Sequence, residues 1–159
     1  MQEINLPSNF ANTRFALVAA KFNAPVVNNL IAGVKQALES HAVAEQALDL
    51  IHVAGAFELP LAAQRLAQTG RYQAVIALGA VIRGGTPHFE YISSACAHGL
   101  NQAGLQTGVP VVFGVLTTDT AEQAISRADP ERGNKGYEVG MAALEMTGFM
   151  QAVADLEQN

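Results

Sequence analysis

The stretch Ala74-Val-Ile-Ala-Leu-Gly-Ala-Val-Ile82, continued by Arg83-Gly84-Gly85-Thr86-Pro87-His88, decides how this chain is read. From Ala74 to Ile82 no residue carries a polar side chain. The run is far too short for the ~20 residues of a membrane helix. An unbroken apolar run bounded by turn residues reads as a strand covered on both faces, the usual condition of a parallel sheet. Two glycines follow, then a stretch of small residues over 88–106 with helical composition, stopped by Gly108-Val109-Pro110. The unit is therefore strand, glycine loop, helix.

The same alternation extends in both directions. Residues 15–19 (FALVA) read as a buried strand, and Val27, Leu30, Ile31, Val34 and Leu38 after it fall on one helical face. Pro25 suits the first turn of that helix, where its missing N–H costs nothing. Residues 48–53 (LDLIHV) form a second strand, and 58–68 a helix that Gly70 stops. Residues 111–116 (VVFGVL) make a fourth strand. Asp119 with Glu122 three residues on has the pattern of a capping box for a short helix through Ala128. A last helix spans about 135–156, with Val139, Ala142, Met146, Phe149, Met150 and Val153 expected on its inner side. Four apolar strands separated by helices predict an α/β chain, a four-stranded parallel sheet between two helical layers. A single domain over 1–159 is expected, residues 1–13 forming an N-terminal arm with weak alternation at Ile4 and Leu6.

Composition excludes several functions. A net charge of −5, with no Lys/Arg cluster, argues against nucleic acid as a partner. No apolar run spans a membrane, and residues 1–12 lack the basic start and apolar middle of a signal peptide, so a cytoplasmic location is expected. One cysteine, Cys96, excludes an internal disulfide and has no metal-ligand partner at useful spacing. Charged residues are 14% of the chain, against roughly 25% in an average soluble domain. So little charge implies that part of the surface is covered by other copies, and an oligomer is expected.

In open α/β sheets ligands bind at the carboxyl ends of the strands. Those ends read Lys21-Phe22-Asn23, Gly55-Ala56-Phe57-Glu58, Gly79 to His88, and Phe113-Gly114. Phenylalanines beside glycines on one rim fit flat-ring stacking, although each alone also fits a lid on the core. Gly84 and Gly85 let the backbone approach a ligand, the helix start supplies free N–H groups, and Thr86 adds a hydroxyl, which together suit a phosphate. The same residues also fit an ordinary glycine turn. The segment is neither a Walker loop nor a dinucleotide fingerprint. His88, on the first turn, is placed for proton transfer near neutral pH, while a lone histidine there also reads as a solvated cap. Glu58 reads as a helix-start acid or as an acceptor for substrate N–H and O–H groups. Arg127 and Lys135 read as surface charge or as the completion of an anion site. His41, His52, His98 and Cys96 lie off the rim and are expected to be structural.

These segments resemble the lumazine synthases. The likeness rests on Phe22-Asn23, Gly55-Ala56-Phe57-Glu58-Leu59-Pro60, residues 78–91 (LGAVIRGGTPHFEY), residues 110–119 (PVVFGVLTTD), Glu122-Gln123-Ala124, Arg127-Ala128 and Gly133-Asn134-Lys135-Gly136, in order and at family spacing. It implies a flavodoxin-like fold, no metal or organic cofactor, and condensation of 5-amino-6-(D-ribitylamino)uracil with 3,4-dihydroxy-2-butanone 4-phosphate in riboflavin biosynthesis. Carried over by residue, Phe22 would stack on the pyrimidine. The backbone of Ala56, Phe57 and Glu58 and of Ala80, Val81 and Ile82 would hold ring and ribityl chain. Gly85, Thr86 and Arg127 would bind phosphate, Phe113 would line the pocket, Lys135 would lie near a pyrimidine carbonyl, and His88 would be the acid/base. The resemblance also implies pentamers or shells of twelve pentamers, with Phe113, Arg127 and Lys135 facing a neighbour's His88 loop, and leaves riboflavin synthase open as a protein partner. The Asp129-Pro130-Glu131-Arg132 stretch departs from the family's usual Gly-Thr-Lys-Ala.

Overall fold

A computed structural model of the chain describes residues 1–158. Four strands, β1 (Phe15–Ala20), β2 (Leu48–Val53), β3 (Ala74–Ile82) and β4 (Val111–Thr118), form one parallel sheet in the order β2-β1-β3-β4. Helices α1 (Ala24–Glu39), α2 (Leu59–Gln68), α3 (His88–Thr107), α4 (Ala121–Ala128) and α5 (Lys135–Glu157) complete the chain. The three-layer α/β/α architecture expected from the alternation is the one observed, and it is consistent with the flavodoxin-like fold that the resemblance implies.

Successive side chains of a strand point to opposite faces, so each strand feeds two cores. From β1, Phe15, Leu17 and Ala19 join Val27, Leu30, Val34, Val139 and Leu144 beneath α1 and α5. Ala16 and Val18 join Leu59, Ala63, Cys96 and Leu100 beneath α2 and α3. All six residues of β1 are buried, as expected for a strand covered on both faces. Phe10 is also buried in the first core, and the Thr13 hydroxyl donates to its carbonyl at 2.6 Å.

Three local expectations are corrected. The capping box of α4 is made by Thr120 and Gln123, not Asp119 and Glu122. Thr120 Oγ1 accepts the Gln123 N–H at 3.2 Å, and Gln123 Oε1 accepts the Thr120 N–H at 3.4 Å and also the Asp119 N–H at 2.9 Å. Asp119 is drawn away because its carboxylate binds Arg83. Second, β4 runs two residues further than expected, through the β-branched Thr117 and Thr118, so Phe113 is not at its carboxyl end. It lies opposite Ala77, in the first half of the strand.

Third, the inner face of α5 is built from small residues. Gly136, Gly140, Ala143, Thr147 and Gly148 are buried with Val139 and Leu144, while Met146, Phe149 and Met150 are exposed. The reason is close packing. A Cβ on Gly136 would overlap the Leu30 carbonyl oxygen, and one on Gly140 would sit 2.7 Å from the Ala37 methyl. On the α1 side, a Cβ on Gly33 would come within 2.7 Å of the Tyr137 nitrogen. Two helices approaching this closely leave room for backbone and methyls only, so the large apolar side chains turn outward.

Candidate active site

The strand order reverses between β1 and β3, and a cleft opens at the carboxyl ends of the strands beside that switch point. It has a volume of about 710 Å³ and is lined by Phe22 and Asn23 after β1, Ala54 to Glu58 after β2, and Ala80, Val81 and Ile82 at the end of β3. Gly84, Thr86 and His88 close it from the next loop, with Phe89 and Ile92 from α3. The volume is in the range of small-molecule sites.

The apolar walls are unusually open to solvent. Phe22, on the loop after β1, is 72% exposed and Phe57, after β2, is 62% exposed, and both line the cleft. A phenylalanine this exposed gains little from burial in its own chain, so two of them lining one cleft offer apolar ring surface to a flat ligand. The loop that carries Phe22 is fixed by backbone and side chain together. Lys21 and Phe22 N–H groups donate to the Val53 and Ala54 carbonyls at 2.8 and 3.1 Å. Asn23 is left-handed, with φ 61° and ψ 41°, and begins α1. Its side-chain amide donates to the Ala80 carbonyl at 2.8 Å. The β1–β3 ladder ends at the Ala19 and Leu78 pair, so this amide takes over as the partner of β3 where strand β1 has run out.

On the β2 side a short 3₁₀ turn, Ala56–Glu58, precedes α2. Glu58 Oε2 accepts the Gly55 N–H at 3.0 Å, which tightens the turn and sets the Ala56 and Phe57 backbone along the cleft. The helix-start reading of Glu58 is therefore observed, with the carboxylate already holding a backbone donor.

The third wall is the loop 84–87. Neither Gly84 nor Gly85 has any atom within 4 Å of where a Cβ would stand. Thr86 and His88 are exposed, and their side chains are free of hydrogen bonds to other described residues. Helix α3 begins at His88 with Pro87 as its cap residue and no side-chain cap; the Glu90 N–H donates to the Pro87 carbonyl at 3.2 Å, which leaves the His88 and Phe89 N–H groups open to a ligand. Free N–H groups, a positive helix end and flexible glycines make an anion seat, with an imidazole one step away.

The expected site residues divide into two groups. Phe22, Ala56, Phe57, Glu58, Ala80, Val81, Ile82, Thr86 and His88 line one cleft, and Gly85 lies in the loop while Gly84 lines it instead. Phe113, Arg127 and Lys135 are not among the lining residues. Phe113, 44% exposed, lines a separate apolar groove of about 540 Å³ with Leu100, Leu105, Met146 and Met150. Arg127 is exposed in the last turn of α4, and Lys135 pairs with Glu138 of its own helix at 2.8 Å. Asn23, Phe89 and Ile92 were not singled out from sequence as lining residues. For Ile92 the signal was available, since it follows His88 by one helical turn. His41, in the turn after α1, bonds the Ala37 carbonyl and His98, within α3, the Ser94 carbonyl, each at 2.8 Å, and both stand away from the cleft.

Comparisons with known proteins show the family. A family model described as 6,7-dimethyl-8-ribityllumazine synthase matches residues 12–151. A 6,7-dimethyl-8-ribityllumazine synthase of Halorhodospira halophila (strain DSM 244 / SL1) is 55% identical over 140 residues, covering 88% of this chain and 90% of that protein.

Proposed function

The chain belongs to the 6,7-dimethyl-8-ribityllumazine synthase family, and from that premise we propose that the cleft beside β3 is one half of an active site whose other half comes from a second copy. The activity is that of a transferase of riboflavin biosynthesis: 5-amino-6-(D-ribitylamino)uracil condenses with 3,4-dihydroxy-2-butanone 4-phosphate, and phosphate and water leave.

Phe22 stacks on the pyrimidine, with Phe57 lining the same cleft, and the backbone of Ala56 to Glu58 and Ala80 to Ile82 holds the ring and the ribityl chain. Gly85, Thr86 and the open N–H groups of α3 receive the phosphate. His88 moves protons: the amine attacks the ketone and water leaves as an imine forms, a proton is removed as phosphate departs, and a final condensation closes the second ring. Each step also moves a proton, so one imidazole serves throughout. Much of the acceleration comes from holding two substrates together. The leaving phosphate calls for positive charge, which Arg127 supplies.

The observation that carries the two-chain reading is the separation within one chain. Phe113, Arg127 and Lys135 lie outside the cleft, and the side of the molecule bearing Phe113 also exposes Leu105, Met146 and Met150. A pentamer, alone or in a shell of twelve, covers that groove and brings the two halves together. The chain acts as a single domain whose first 13 residues form an arm. No helix among the described residues is long and apolar enough to cross a membrane.

Absorbance of the lumazine product tests the activity and the roles. His88→Ala lowers kcat about a hundredfold or more with small change in KM, whereas Arg127→Ala raises KM for the butanone phosphate. At butanone phosphate concentrations far below the KM of Arg127→Ala, where both variants are slow, dissociating them and reassembling them together restores about a quarter of the wild-type rate, because random mixing joins two intact halves at about one interface in four. No recovery in soluble mixed oligomers would refute the shared site.

A further inference from the structure

Arg83 is the cation nearest in sequence to the phosphate loop, yet it does not line the cleft. Its Nε donates to Asp119 Oδ1 at 2.8 Å, its Nη1 pairs with Glu90 Oε1, and its guanidinium stands over the Phe89 ring, 4.4 Å from the centroid. Its backbone N–H donates to the Thr118 carbonyl at 2.8 Å. One side chain thus joins the end of β3, the turn after β4 and the first turn of α3. A planar guanidinium can serve two carboxylates at once, which an ammonium does less well. The pair with Arg83 holds Glu90 charged, its carboxyl below the usual range chiefly because of that hydrogen bond.

Pro87 is tied to α3 through its carbonyl, which accepts the Glu90 N–H at 3.2 Å, while residues 84–86 show no hydrogen bond to another described residue. A Cβ on either glycine would meet no atom within 4 Å, Thr86 and His88 make no side-chain hydrogen bond among the described residues, and α3 lacks a side-chain cap. The bridge from Arg83 to Glu90 spans this loop from the residue before it to the turn after it.

We propose that Arg83 is a positioning residue of the reaction, which holds His88 and Thr86 in register through Phe89 and Glu90 and neutralises the carboxylate that Glu90 places on the turn where phosphate departs. The inference rests on the preceding assignment of residues 84–88 to phosphate and proton transfer. It separates two effects, a geometric one on turnover and an electrostatic one on the anionic substrate.

Steady-state kinetics with each substrate varied in turn separates them. Arg83→Gln lowers kcat about tenfold and raises KM for the butanone phosphate about tenfold, with KM for the pyrimidine within about twofold of wild type. Arg83→Lys, keeping the charge without the fork, recovers KM for the phosphate substrate and leaves kcat low. The double variant Arg83→Gln with Glu90→Gln also recovers that KM and leaves kcat low. If Arg83 instead bound the phosphate directly, the double variant would keep the raised KM, and the proposal would be overturned. Equal changes in both KM values, as from a general loosening, would overturn it too. Should Arg83→Gln fail to fold, Glu90→Gln alone decides: a lowered kcat with no rise in the phosphate KM supports the strut, and wild-type kcat refutes it. His88→Ala measured alongside distinguishes the two readings. A normal rate there condemns the loop assignment, whereas a slow His88→Ala beside a wild-type Arg83→Gln condemns only this inference.

Discussion

Replacing Asn23 by alanine tests the link that ties the Phe22 loop to the sheet. Two terms add. Asn23 is left-handed, and an alanine held there costs about 1–2 kcal/mol, a conformation that asparagine tolerates better. Its amide also donates to Ala80 at 2.8 Å, and Ala80 is 5% exposed, so deleting the amide leaves a carbonyl short of a partner at a further cost of about 1 kcal/mol. The expected loss is about 2–3 kcal/mol, or roughly 5–10 °C in Tm for a domain of this size. Asn23→Gly removes only the hydrogen bond, because glycine enters the left-handed region freely, and the expected loss is smaller by about 1 kcal/mol. Urea unfolding of the three proteins at one protomer concentration gives the values, since assembly makes apparent stability depend on concentration. The same release lets the Phe22 ring wander, so KM for the pyrimidine rises in Asn23→Ala with little change in kcat. Alanine as stable as glycine would refute the backbone argument. Both variants within about 0.5 kcal/mol of wild type would refute the link itself.

Two further outcomes follow from the core. Gly136→Ala forces a methyl into the Leu30 carbonyl where α1 and α5 touch, and because backbone cannot step aside it destabilises by about 3 kcal/mol or more, read as a lower urea midpoint or loss of soluble protein. Cys96 is fully buried under α2, and burial pushes its thiol up to about 11. The native state thus holds this proton more tightly than the unfolded chain, whose thiol ionises near about 8.5, so stability falls as pH rises from there toward the folded value. Wild type is expected to lose more urea resistance between about pH 8 and about pH 10.5 than Cys96→Ala, and its thiol to resist iodoacetamide until the chain unfolds. Equal pH slopes would show that Cys96 does not titrate against burial.

The residues of a strand, a glycine loop and a helix start carry local physics, and this is why the cleft was legible before any coordinate. Apolar runs too short to be membrane helices had to be strands, strands parted by helices had to lie parallel, and a parallel sheet places its ligands at one rim. Phe22, Phe57, Thr86 and His88 follow from that rule because each lies within a few residues of a strand end. Glu58 was readable as a helix-start acid for the same reason.

What failed in the sequence reading shares one cause. The outer side of α5 and the place of Phe113 depend on what a residue packs against, and periodicity is silent on that where both sides of a helix are apolar. Along α5, Met146, Phe149 and Met150 carry the hydrophobic signal while Gly136 and Gly140 carry the packing against α1 and Gly148 the packing against Pro7, since only glycine lets these segments come so close. Phe113 was read as a strand end because β4 was ended at Leu116, and only the pairing of Ile82 with Thr118 shows how far the strand runs. Asn23 and Arg83 are the same case at the site. Composition shows an amide and a cation, and the fold alone decides that one replaces a missing strand and the other spans a loop. The sequence by itself determined the layers, the rim and the chemistry offered there, because these rest on local pattern and topology rules. The tertiary structure decided which side chains meet and which face outward, because those choices depend on distances between segments far apart in the chain.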